Sequence, residues 1–212
     1  MMTQTHCLIA AALFSGPERS VRQNSAILLG SLVPDAAIYA LFFWSKLKGI
    51  PEQELWQEVY FTEPMLTFTA IGNSLPLYLS ILLLFITIRF LKDRQIQLNL
   101  YTSHSANLSS PVIALFSLAA ITHLLGDFPV HSSDAHPHFW PFTDWRFHSP
   151  VSYWDSNHHG NVFSLFEALL GVVLSVIIYK RFKSFFIRLL TALALTSYIA
   201  VPIYFATALS AN

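Results

Sequence analysis

Long apolar stretches alternate with short polar ones along the 212-residue chain. Ser74 to Ile88 reads "SLPLYLSILLLFITI" and carries no charged side chain. Ser109 to Gly126 has one titratable group, His123, close to its end. Asn161 to Tyr179 holds a single acid, Glu167, Leu189 to Leu209 has no charge at all, and Asn24 to Trp44 has only Asp35. A helix of about 20 largely apolar residues crosses the hydrocarbon core of a bilayer, so this pattern predicts about five spanning or near-spanning helices. A sixth, shorter helix is expected over Thr5 to Ser15. No basic segment precedes it and His6 lies inside it, which argues against a cleaved signal peptide. The expected fold is all-α, a polytopic integral membrane helical bundle of about five to six helices forming a single domain over residues 1–212. A long His/Asp-rich interfacial loop joins the Ser109 and Asn161 helices.

Composition agrees with the pattern. Hydrophobic residues make up 54% of the chain and charged residues 11%, against roughly 25% charged in a soluble domain. The formal net charge is zero, so nothing in it favours nucleic acid as a partner. Cys7 is the only cysteine, which excludes an internal disulfide and a thiolate-rich zinc site. Lys and Arg gather at Arg19 and Arg22, at Arg89, Lys92 and Arg94, and at Lys180, Arg181, Lys183 and Arg188. All three groups fall on one side if the helices alternate, and the positive-inside rule makes that side cytoplasmic. The expected setting is a bacterial-type inner or plasma membrane. The amphipathic "PEQELWQEVYFTEP" segment and the stretch from Phe128 to Gly160 would then face the other side. That stretch is rich in Trp, Phe, Tyr and Pro, and aromatic rings favour the membrane interface.

Seven of the nine histidines lie between His123 and His159, together with four aspartates. His123 and Asp127 are four apart, hence on one helix face. His131, Asp134, His136 and His138 follow, then His148 and "WDSNHHG", in which Asp155 and His159 are again four apart. Both flanking helix ends sit on the same side, so the loop can gather imidazoles and carboxylates into one cluster. Nitrogen and carboxylate oxygen without thiolate suit zinc, manganese or iron. The expected cofactor is a divalent metal, foremost zinc, in one to three ions. Water on such an ion is acidic enough to act near neutral pH. The metal-ligand candidates are His6, Asp35, His123, Asp127, His131, His136, His138, Asp155 and His159, with one of His158 and His159 in a supporting role. Asp35 stands inside an apolar helix, where an unpartnered carboxylate is costly and a functional role is the default. Glu167 lies two turns below His159 and suits a ligand, a general base or an acceptor for a ligating imidazole; Glu167 and Asp134 are the candidate catalytic residues. Arg146 and Trp140 are candidates for substrate contact, and Arg146 also suits a headgroup anchor. His104 is expected in a solvated polar loop.

Several short blocks together resemble the membrane-bound metal-dependent hydrolases, an all-helical family distantly similar to zinc-dependent phospholipase C. These are the early His in "THCLIA", the "SLVPD" helix with Asp35, "HLLGD" at a helix end, and "WPFTDWRF" with Trp140 and Arg146. The resemblance spans residues 6 to about 147. The chain departs from that pattern after Asp35, where it reads "PDAAIY", and at Asn73, where the family would carry a histidine. The resemblance implies a hydrolase that uses His6, Asp35, His123 and Asp127 at its metal site, acting on a phosphate ester or lipid at the bilayer. Two other classes stay open: a di-iron membrane lipid oxidase, which also crowds histidines at helix ends, and a non-catalytic metal-binding or transport protein.

Overall fold

The computed structural model describes residues 1–98 and 111–210. Among them there is no strand; all regular secondary structure is helical. In order it forms α1 (Thr3–Phe14), α2 (Val21–Leu32), a 3-10 turn at Val33–Asp35, α3 (Ala36–Lys48), α4 (Glu52–Gln57), a 3-10 turn at Val59–Phe61, α5 (Glu63–Gly72), α6 (Leu75–Leu98), α7 (Val112–Asp127), a 3-10 turn at Ser156–His158, α8 (Gly160–Arg181) and α9 (Phe185–Ser210). Four stretches are long and apolar enough to cross a membrane: Val21–Lys48, Glu63–Lys92, Gly160–Arg181 and Phe185–Tyr204. The helix expected to end at Gly126 has 16 residues as α7, and the first has 12 as α1. Both fall short of the length a bilayer crossing needs. His104 lies outside the described residues.

Two of the long stretches are interrupted, which the apolar pattern did not reveal. Pro34 removes a backbone donor, and the chain tightens into the turn at Val33–Asp35 between α2 and α3. Asn73 and Ser74 separate α5 from α6. The two breaks face one another, and one hydrogen bond joins them. Asn73 Nδ2 donates to Pro34 O at 3.3 Å and to Thr69 O at 3.0 Å. Interrupted backbone is tolerated at membrane depth only where protein supplies such partners.

The remaining contacts bring the polar residues to one end. α7 packs between α2 and α6. A Cβ on Gly30 would stand 2.2 Å from Phe116 O, so glycine sets how closely α2 approaches α7. Small residues at a helix–helix seam allow this close packing without a hydrophobic drive from water. α1 lies against α2, α7, α8 and α9, with Ala10 against Ile27 and Ala119, and Leu8 against Ile178 and Phe182. Its last carbonyls, on Ala11, Ala12 and Ser15, accept from Arg181 Nη1 at 3.1, 2.8 and 2.8 Å. Those are the orphan acceptors of a helix C-terminus. The basic α8–α9 turn is thereby joined to the end of α1 farthest from His6. α3, α4 and α5 form a small cap around Leu41, Leu55, Tyr60 and Met65. Glu52, buried in this cap, pairs with Lys46 and accepts from Tyr204 Oη of α9 at 2.7 Å.

Candidate metal centre

α7 delivers His123 and Asp127 one turn apart on its buried face, 1% and 2% exposed. The α2–α7 seam places Ser31 beside them, and His123 Nδ1 donates to Ser31 O at 2.7 Å. That bond fixes the tautomer and leaves His123 Nε2 as a lone-pair donor. Nε2 lies 3.0 Å from Asp127 Oδ2 and 3.5 Å from Asp35 Oδ1. Asp35 comes from the turn between α2 and α3, and its Oδ2 accepts from Thr3 Oγ1. α1 brings His6 to the other side, with Nε2 2.8 Å from Asp127 Oδ1 and the ring stacked on His123 at 3.6 Å. The Met1 α-ammonium also lies 2.5 Å from Asp127 Oδ1.

His6, His123 and Asp127 could hold a metal ion: one ligand atom from each lies within 4.8 Å of the others. Ligands of a tetrahedral zinc with bonds of about 2.0–2.1 Å stand roughly 3.3 Å apart. His123 Nε2 and Asp127 Oδ2 are within that distance, yet His123 Nε2 is buried without a hydrogen-bond partner, as is His6 Nδ1. A buried imidazole nitrogen near a carboxylate but out of hydrogen-bond alignment suits a shared cation. The donors are imidazole and carboxylate. Cys7, the neighbour of His6, has its Sγ against Ser31 Oγ at 3.5 Å instead.

No protein-family model matches the chain, and no curated protein or solved structure matches it. The site is therefore read from its own chemistry.

The loop after α7 adds a second layer of imidazoles. His131 Nε2 lies 3.2 Å from Asp127 Oδ1, and its Nδ1 bonds Asp134 Oδ2 at 3.0 Å. Trp154 Nε1 donates to the same Asp134 oxygen at 3.1 Å. A carboxylate on the far nitrogen is the usual support of a ligating histidine. Burial opposes charge on His131, but Asp127 and Asp134 outweigh it and raise its pKa to about 9. Burial also pushes Asp134 upward, yet its bond to His131 wins and holds the acid below the usual carboxylate range. His136 and His138 are both buried, with rings 6.0 Å apart, and the His136 ring is 4.9 Å from that of His131. Burial, and then the charge of His131, depress the His136 pKa, and burial depresses that of His138. His138 Nδ1 donates to Asn73 O at 3.1 Å, and Leu75 N donates to His138 O at 2.8 Å. The α5–α6 break therefore anchors the loop.

Other expected residues go elsewhere. Asp155 Oδ2 accepts from His158 Nδ1 at 2.7 Å, and Oδ1 accepts from Asn157 N. His159 is exposed, sits in the left-handed region at φ 62°, and borders Val162, Phe163 and Phe166. Neither belongs to the group of ligand atoms that His6, His123 and Asp127 bring together. The reason is the 3-10 turn at Ser156–His158, which breaks the helix that the four-residue spacing assumed. Glu167 is fully buried on α8, but its Oε1 accepts from Met2 N at 2.7 Å, so it holds α1 in place. Arg146 Nη1 donates to Ala135 O at 2.9 Å and Trp140 O accepts from Ser74 Oγ at 2.6 Å. Both residues tie the loop down. His148 donates to Ser132 O at 2.7 Å.

Three contributors escaped the sequence reading. Thr3 was legible in principle, since it lies three residues before His6 on the same face of α1. Ser31 acts through its carbonyl, which no side-chain motif reports. Tyr153 packs its ring 5.0 Å from that of His131, and no local spacing signals that.

Proposed function

We propose that this protein is an integral membrane metal-dependent hydrolase acting on a phosphate ester at the lipid interface. The observation that carries this reading is the convergence of His6 and His123 on Asp127, beside Asp35, with buried imidazole nitrogens that lack hydrogen-bond partners. A divalent ion held there supplies a Lewis acid and an acidified water, the two things phosphate-ester hydrolysis needs. The chain's own residues would do the rest. Ser31 and Asp134 orient the imidazoles of His123 and His131. The cap and the aromatic loop shield the site from bulk water, which strengthens every charge interaction inside. The carboxylates mixed among the imidazoles favour a hydrolase over a di-iron oxidase, whose ligands are dominated by histidine.

The reading is tested on purified protein in phospholipid vesicles. Zinc or manganese by elemental analysis, and headgroup release that stops with a chelator and returns with the metal, are expected. Iron with a visible absorption band would favour the oxidase. Hydrolysis indifferent to chelation would overturn the metal role. The reading puts the site on the non-cytoplasmic side, since the positive-inside rule assigns the basic α8–α9 turn to the cytoplasm and that turn lies at the far end of α1. A cysteine at Ser132 should then react with a membrane-impermeant thiol reagent from outside, and one at Ser184 should not.

A further inference from the structure

At the end of the molecule opposite the metal centre, α8 and α9 diverge around their short turn and leave an open groove of about 390 Å³. Tyr179, Lys183, Phe185, Arg188, Leu189 and Ala192 line it. The lining contains two cations and no acid. The whole stretch from Lys180 to Arg188, "KRFKSFFIR", has four cations and no acid. Arg188 is already oriented: its Nε donates to Phe182 O at 3.1 Å, and its guanidinium lies 4.2 Å over the Tyr179 ring. A guanidinium fixed in this way presents its remaining donors as a fork, which matches phosphate oxygens in pairs. Lys183, exposed and with no side-chain bond of its own among the described contacts, adds a movable point charge. Below the cations the wall is apolar, and Phe185 is 80% exposed.

We propose that this groove binds an anionic phospholipid, with Lys183 and Arg188 on the headgroup phosphate and an acyl chain along Leu189 and Ala192. Charge complementarity selects the lipid. A phosphatidylglycerol headgroup brings only negative charge to two cations. The ammonium of phosphatidylcholine would face the same cations with no carboxylate in the lining to receive it. Basic pockets between spanning helices recognise anionic headgroups on this principle. The apolar wall distinguishes a lipid from a free phosphate, which would have no use for it. The inference is independent of the proposed hydrolysis, since the groove and the metal centre are at opposite ends of α1.

Native mass spectrometry of the full-length protein, released from micelles doped with either lipid, tests it. Phosphatidylglycerol should be retained and should raise the melting temperature; phosphatidylcholine should do neither. Lys183→Gln together with Arg188→Gln should weaken phosphatidylglycerol retention about thirtyfold, the combined effect of two interfacial cations. Arg188 also supports the Phe182 carbonyl, so Lys183→Gln alone is the cleaner variant, with a loss of about fivefold. Lys48→Gln, on α3 beside the cap, should change nothing. Equal retention of phosphatidylcholine would overturn the proposal. So would unchanged retention in Lys183→Gln, an equal loss in Lys48→Gln, or equal protection by soluble glycerol phosphate.

Discussion

His123 with Asp127, and Asp155 with His159, are the same sequence pattern in mirror order: an imidazole and a carboxylate four residues apart beside an apolar helix. The first pair is buried on α7 at the centre of the candidate site. In the second, His159 is exposed and Asp155 half-buried, and Asp155 bonds His158 instead. The difference lies in the backbone. Residues four apart share a face only if the chain between them is α-helical. α7 is continuous through His123 and Asp127. Between Asp155 and His159 the chain makes a 3-10 turn and then a left-handed residue, and α8 begins only at Gly160. A spacing rule therefore carries no information at a helix boundary.

The largest expected effect separates the two pairs directly. His123→Ala or Asp127→Ala should abolish bound metal, read as metal per protein by elemental analysis, while the protein still inserts. Asp155→Ala and His159→Ala should retain full occupancy. Loss of metal in His159→Ala, or retention in both α7 variants, would reverse the assignment. Next comes the seam that positions α7. Gly30→Val would drive a side chain into the Phe116 carbonyl. Overpacking of this kind costs about 1–3 kcal/mol, and the melting temperature should fall and metal affinity with it. Asp35→Asn keeps size and hydrogen bonding but removes a charge 3.5 Å from His123 Nε2. The variant should melt normally yet lose most of its metal affinity and turnover; unchanged binding would make Asp35 a purely structural acceptor.

Smaller still is Asp134→Asn, which loosens the support of His131. Removing such an outer partner lowers metal affinity about 10- to 100-fold, measurable by competition with a chelator. The smallest effect belongs to Asp155→Asn. The bond to His158 lowers the Asp155 pKa, so its contribution is present above the ordinary carboxylate range. It is lost as the pH falls through the lowered folded value. Wild type and variant should therefore differ slightly in melting temperature at neutral pH and converge in acid.

Helical class, the long apolar stretches and the grouping of His6, Asp35, His123 and Asp127 were legible in the sequence, because each rests on a helical period or on a polar group stranded among apolar residues. The break at Asn73 was not, since Asn73 and Ser74 sit where an uncharged run continues. Its partner is a carbonyl 39 positions away. Glu167 was legible as a candidate, but its hydrogen-bond partner was not. Its partner, the Met2 amide, belongs to the opposite end of the chain, and no local pattern names it.

That long-distance pairing has a consequence for the order in which the protein is made. α1 is held in two stages: by α2 and α7, which follow it early, and then by α8 and α9, where Glu167 lies 165 positions beyond its partner Met2 and Tyr198 Oη meets Thr5 Oγ1 at 2.6 Å across 193 positions. Domains synthesised from the N-terminus usually complete local contacts first. Here the nascent chain carries α1, α2 and a complete α7, with His123 and Asp127 in register, before α8 and α9 exist to complete the packing of α1. A nascent chain arrested before Gly160 would hold α1 by α2 and α7 alone.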